Sequence, residues 1–236
     1  MVVEIRQYTL FPGQRDVLID LFDRYFVDGQ AEAGMTIIGE FRVLDNPNRF
    51  FWIRGFANME TRAKALQAFY HGPIWAAHRD AANATMVDSD NVLLVRPARE
   101  GSGLPIVSDP GANATAESAG LIVATIYHPE IPVSGEFVSL FERRIQPLAT
   151  RAGATVIGSY VTEERPNNFP ALPVRPVETF AWFACFADAA TYARYQNAVA
   201  QDPDWGEIDQ RFAELKNYAP PEVWRLSPTS RSRLRC

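Results

Sequence analysis

The sequence predicts an α+β protein in which two ferredoxin-like repeats pack sheet to sheet as a barrel within one chain. Three observations predict it. First, the chain repeats itself. At an offset of 119 residues Tyr8 falls on Tyr127, Leu21-Phe22 on Leu140-Phe141, Arg24 on Arg143, Ala33-Gly34 on Ala152-Gly153 and Ile38-Gly39 on Ile157-Gly158. At an offset of 130 the match resumes with Phe50 on Phe180, Trp52 on Trp182, Phe56-Ala57 on Phe186-Ala187, Pro73 on Pro203 and Trp75 on Trp205. Second, each half reads strand, helix, strand, strand, helix, strand. Third, an antiparallel sheet of this kind carries helices on one face only, so its other face needs cover, which the second half supplies.

The elements follow in order. Residues 3–9 alternate as a strand, and Phe11-Pro12-Gly13 turns the chain. Val17, Leu18, Leu21, Phe22, Tyr25 and Phe26 recur at helical spacing, predicting a helix of about five turns that ends at Ala33-Gly34. Residues 35–44 and 49–56 read as strands around the turn Asn46-Pro47-Asn48. Asn58, and Asp188 in the second half, is placed to cap a helix carrying Ala63, Leu66 and Phe69. A short helix starts at Pro73, suited to a first turn, and residues 91–96 close the repeat as a strand.

The change of offset places eleven extra residues within 163–177, where Pro166, Pro170, Pro173 and Pro176 favour an extended connection. It should cover the barrel or reach a neighbouring subunit. The stretch rich in Gly, Pro, Ser and Ala between the halves reads as a linker. The expected organisation is repeat 1–98, linker 99–119, repeat 120–227 and a flexible tail 228–236 whose Arg231, Arg233 and Arg235 are solvated.

In 236 residues, 23 basic against 28 acidic side chains give a net charge of −5, which speaks against nucleic acid and anionic lipid as partners. No apolar run approaches the ~20 residues that span a bilayer, and residue 3 already begins a strand pattern, so no leader is expected. Cys185 and Cys236 do not make a disulfide framework, which makes a reducing cytoplasm the default location.

Val3-Glu4-Ile5-Arg6-Gln7-Tyr8-Thr9, Pro12-Gly13, Ile38-Gly39-Glu40-Phe41, residues 52–56 and Pro73-Ile74-Trp75 together resemble the NIPSNAP family. The resemblance covers both halves and is stronger in the first, since Val123 and Thr125 replace Glu4 and Arg6. It implies the dimeric α+β barrel group, formed here within one polypeptide, and it brings no catalytic residues or cofactor with it.

Strand parity puts Glu4, Arg6 and Tyr8 on one face. With Glu40, Trp52 and Arg54 they are the candidate ligand site, a polar pocket expected inside the barrel; an ion-pair network is the competing reading. Their counterparts Val123, Thr125, Ser159 and Ala184 leave the second half nearly neutral. His71, His78 and His128 are weaker candidates. They lack zinc spacing, so no metal is expected, although relatives in the wider barrel group bind haem through one histidine. Two functions are weighed. One is a protein that binds or transforms a small, partly apolar carboxylate or carbonyl compound without a metal or other cofactor, with homo-oligomers possible. The other is a non-catalytic scaffold for protein interactions.

Overall fold

In the computed structural model, which describes residues 1–108, 111, 120–215, 217 and 219–236, the opening strand β1 (Val2–Leu10) lies between β3 (Arg49–Phe56) and β5 (Val92–Pro97), antiparallel to both. Outside β3 runs β2 (Thr36–Val43), and the short β4 (Met86–Asp88) pairs with the end of β1. The second half repeats the arrangement. There β6 (Leu121–Tyr127) lies between β8 (Phe180–Phe186) and β9 (Glu222–Pro228), with β7 (Thr155–Thr162) outside β8.

The two sheets join at both edges. Strand β2 pairs with β9 from Phe41↔Pro228 to Val43↔Leu226, and β5 pairs with β7 from Val95↔Thr162 to Pro97↔Tyr160. The result is a closed antiparallel barrel with β4 appended. Closure brings the inner faces together, and the lumen is filled by apolar side chains including Val3, Ile5, Ile53, Ile122, Ala124 and Phe183, all fully buried.

Helices lie outside the barrel. Over the first half α1 (Arg15–Leu21) runs through a π-helical turn (Phe22–Phe26) into α2 (Val27–Glu32), followed by α3 (Met59–Tyr70) and α4 (Pro73–Asn83). Over the second lie α5 (Gly135–Leu140), a π-helical turn (Phe141–Ile145), α6 (Gln146–Arg151), α7 (Ala189–Ala200) and α8 (Trp205–Glu214). Both π turns sit at the same repeat position and turn their first and last residues inward. Caps fall where the sequence places them: Asn58 accepts from the Thr61 amide at 2.9 Å and Asp188 from that of Thr191 at 2.7 Å.

The C-terminal tail departs from expectation. Thr229, Arg231, Ser232 and Leu234 are buried. The tail continues alongside β2: the Thr229 amide donates to Glu40 O at 2.8 Å and that of Leu234 to Ile38 O at 2.9 Å. Arg231 pairs with Asp28 at 2.6 Å, and Arg235 donates to the Thr229 carbonyl at 2.8 Å. The chain then crosses to the second half, where Cys236 is bonded to Cys185, Cα to Cα 5.5 Å. Strand β9 supplies the physical reason, because it delivers the tail to a β2 edge with backbone groups left to pair. Two cysteines that make no disulfide framework by sequence are thus joined by the path of the tail, 51 positions apart in the chain.

A matching device follows β5. Bulges at Ile37/Gly39 and Val156/Gly158 each leave a glycine under a crossing segment. A Cβ on Gly39 would meet the Phe41 ring, with Leu234 at 3.3 Å, and one on Gly158 would meet Leu104 at 3.1 Å. Leu104 and Leu234 thereby plug corresponding ends of the lumen. Of the expected linker, residues 109–110 and 112–119 lie outside the described residues.

The proline-rich segment 163–177 folds onto the first half, one of its two expected destinations. The Asn168 side chain donates to Met59 O at 2.6 Å, Phe169 enters the apolar layer under the first-half helices, and Val174 packs on Val2, Met59 and Leu94. No helix among the described residues is long and apolar enough to cross a membrane.

Candidate functional site

Parity holds on β1, but the face is reversed. Apolar Val3 and Ile5 fill the lumen, so Glu4, Arg6 and Tyr8 point outward, beneath the helices of the first half, and the charged pocket is not inside the barrel. Pairing sets Glu4 opposite Arg54 and Arg6 opposite Trp52. The Glu4 carboxylate, fully buried, accepts from Arg6 Nη1 at 2.7 Å, Arg54 Nε at 2.8 Å and Arg62 Nε at 2.8 Å, and Arg54 Nη2 and Arg62 Nη2 stand in ion-pair contact with it at 2.7 Å each.

Arg62, on α3, was not among the sequence candidates. Its signal was present: with Leu66 and Phe69 it occupies the i, i+4, i+7 positions of the buried face, where an arginine needs a partner. Other partners are neutral. Arg54 Nη1 donates to Gln30 Oε1 at 2.8 Å and to the Tyr70 hydroxyl at 3.4 Å; Arg6 Nε donates to the Tyr8 hydroxyl at 3.1 Å; Arg62 Nη1 reaches Asn167 and Asn168 at 3.0 and 2.9 Å. The Arg6 and Arg54 guanidiniums lie over the Trp52 ring at 5.3 and 5.1 Å.

Burial by itself would raise the Glu4 pKa, but Arg54, Arg6 and Arg62 together overturn that and hold the carboxyl far below the ordinary carboxylate range. Burial also pushes the Tyr8 phenol up, which keeps it protonated. The cavity beside these groups is about 20 Å³, without room for a carboxylate ligand.

Glu40 is fully buried on the same outer face as Trp52. It pairs with Trp52 across the sheet, but its backbone holds the tail, with its amide donating to Ser232 Oγ at 3.2 Å. The histidines are scattered. His71 is exposed with Nδ1 3.2 Å from Gln67 O, the His78 ring stacks on Tyr25 at 3.8 Å, and His128 sits between Glu178 O and Glu222. Among the described residues no group of three or more His, Cys, Asp or Glu is placed to hold a metal.

The second half differs in the same place. Val123, Thr125, Ala184 and Tyr192 stand where Glu4, Arg6, Arg54 and Arg62 stand in the first, and Val199 and Ala200 replace Phe69 and Tyr70. The space that guanidiniums and rings fill in the first half is, in the second, a cavity of about 550 Å³ between β6, β8 and the helices α7 and α8. Its walls are chiefly apolar and aromatic, with Trp182, Tyr192, Tyr195 and Trp205 prominent, and Asp209 is the charged residue among them. The Trp182 indole N–H lies against the Tyr127 hydroxyl, and one buried polar atom of a wall residue, Asn217 Oδ1, has no hydrogen-bond partner. Burial raises the Tyr195 phenol to about 12, keeping it a neutral donor. The cavity was legible in outline: residues large at 54 and 70 are alanine at 184 and 200.

Residues 3–99 match the NIPSNAP family model. Solved structures share the fold over the whole chain. An anthrone oxidase-like protein has 11% identity and a TM-score of 0.63, covering all of this chain and 95% of that one. A candidate monooxygenase of Fusobacterium nucleatum has 7% identity and a TM-score of 0.58, with 96% and 91% covered. Another from Lactobacillus acidophilus has 13% and 0.53, with 96% and 93% covered. At such identities the likeness carries the fold alone. The chain has no significant match among curated proteins.

Proposed function

For a chain whose residues 3–99 are a NIPSNAP domain, we propose a small-molecule binding function located in the second half, with an uncharged, largely apolar carbonyl compound held between the sheet and helices α7 and α8. The two halves are read as products of a duplication in which the first kept a closed, ion-paired interior and the second opened. One observation carries this reading: corresponding spaces measure about 550 Å³ and about 20 Å³. The Tyr195 hydroxyl offers a donor to a carbonyl oxygen, and the aromatic walls suit a flat apolar body.

A carboxylate ligand fits neither space. The arginines are engaged by Glu4, and the larger cavity has an acidic rather than a basic side chain in its wall. Histidine-ligated haem does not fit it either, since His71, His78 and His128 are not wall residues. A scaffold role has one observation in its favour, the filled strand lumen, but the cavity lies outside that lumen.

The test is a thermal-shift screen of neutral aromatic and alicyclic ketones against the full chain and against Val199→Phe/Ala200→Tyr, which installs the first-half residues. A ligand at 100 times its Kd should stabilise the native protein by about 2.7 kcal/mol, and the filled variant should melt normally without that response. Absence of any hit, or an equal response in the filled variant, would reject the assignment.

A further inference from the structure

The second-half cavity differs from its filled counterpart by additions as well as by losses. At the repeat offset of 130 residues, Tyr195 stands where the first half has Ala65, and Asp209 where it has Arg79. A space merely left unfilled would have smaller residues throughout its wall. This one has a phenol in place of a methyl group and a carboxylate in place of a cation, and both line the cavity.

The two additions meet a third group. On α8, Trp205, Asp209 and Phe212 follow one another at i, i+4 and i+7, and all three are wall residues. Phe212 stacks on the Tyr127 ring with centroids 5.0 Å apart, so the turn of α8 that carries Asp209 lies beside Tyr127. Tyr195 comes from α7, its ring 5.1 Å from that of Phe186 on β8. Burial is the main cause that raises the Tyr127 phenol; Tyr195 and Asp209 push it further, and the hydrogen bond from Trp182 opposes them. Both groups are thus close enough for the Tyr127 hydroxyl to feel them. Tyr195 is raised to about 12 and Tyr127 higher still, so two neutral phenols share a chiefly apolar space with one carboxylate. With the Trp182 N–H directed at its oxygen, Tyr127 keeps its own O–H to donate. Asp209 also reaches solvent, so a proton that it takes up can be exchanged with water.

Resting on the carbonyl-binding reading above, we propose that the second half enolises neutral ketones: the Tyr127 and Tyr195 hydroxyls hold the carbonyl oxygen while Asp209 takes a proton from the adjacent carbon. The α C–H bond breaks and its proton passes to a carboxylate oxygen of Asp209. The electron pair left on carbon forms the C=C bond of the enolate, and the carbonyl π pair moves onto the oxygen, where the phenols stabilise it. Return of a proton from Asp209 to the same carbon restores the ketone. No electrons leave the substrate, so the step balances without an oxidant. A carboxylate base paired with a phenol donor is sufficient for this chemistry. The first half lacks the means, since Tyr8 is engaged by Arg6 and the other two positions are Ala65 and Arg79.

The test follows loss of α-proton NMR signals in deuterated buffer for every ketone that stabilises the full chain in the thermal-shift screen, 1-indanone and 2-tetralone being included in that screen. The native chain should exchange the α-protons of such a ketone about 100-fold faster than buffer alone, or more. Asp209→Asn should lose that acceleration yet keep the ketone-induced rise in melting temperature, and Tyr195→Phe should slow exchange by about 100-fold. Glu207→Gln, which alters an exposed α8 carboxylate paired with Arg144, should exchange at the native rate. A ketone that stabilises the native chain without faster exchange, or native-rate exchange in Asp209→Asn, would overturn enolisation and leave the binding reading intact. A screen with no stabilising ketone would reject both.

Discussion

Glu4 is the residue on which the first half turns. Because three buried arginines converge on it, Glu4→Gln leaves them without a counter-charge, and urea denaturation should show a loss of about 3–5 kcal/mol. Its pH behaviour has a definite sign. The folded pKa is depressed below the ordinary 4.5, so the stabilisation is complete above that value and drains away as pH falls through and below it, when the unfolded chain takes up a proton that the folded chain refuses. Native protein should lose stability progressively below about pH 4.5, and Glu4→Gln should lack that part of the slope. Charged residues were legible at 4, 6 and 54 by strand parity and repeat comparison. Arg62 was legible only as a charge on a buried helix face; its partner was not, because a helix contributes it across 58 residues of chain, and only the packing of α3 on β1 brings it to Glu4.

Among the elements, the two crossing segments are the least expected and the most readily tested. Leu104 and Leu234 fill matching ends of the lumen over bulge glycines, so Leu104→Ala and Leu234→Ala should each cost about 2–4 kcal/mol in chemical denaturation. The tail is also fastened covalently. Reducing agent should lower the melting temperature of the native chain but leave Cys236→Ser unmoved, the difference corresponding to about 2–4 kcal/mol for a loop of this length. Equal melting with and without reductant, or free thiols in the native chain on alkylation, would show that the tail is held by Arg231, Ser232 and Leu234 alone. Helix and strand positions were readable because burial of one face imposes a period on the sequence. The π turns escaped that reading, since one extra residue shifts the inward face without removing any apolar residue from it.

For the whole molecule, closure of the barrel through β2–β9 and β5–β7 makes each half depend on the other. Fragments 1–98 and 120–236, expressed separately, should be insoluble or should associate when mixed, since each alone exposes an apolar sheet face and two unpaired edges. Two stable monomeric fragments would contradict this. In the intact chain, unfolding followed through the first-half and second-half tryptophans should coincide, as expected of one cooperative unit. The proline-rich segment 163–177 adds to that coupling, because it belongs to the second half and supplies Asn167, Asn168 and Phe169 to the first.

By itself the sequence determined the repeat, the order of elements and the architecture, because apolar periodicity and turn residues are local properties that survive in a one-dimensional record. It also set which half is charged and which neutral. Only the tertiary structure decided which face of β1 looks inward, a matter of parity against the rest of the barrel, since Val3 and Ile5 can fill the lumen only if Glu4 and Arg6 turn away. It likewise decided where the tail goes, that Cys185 meets Cys236, and that open space lies beneath the second-half helices instead of at the charges. These are contacts between residues far apart in the chain, and a cavity is the absence of atoms from many side chains at once, which no single position in the sequence records.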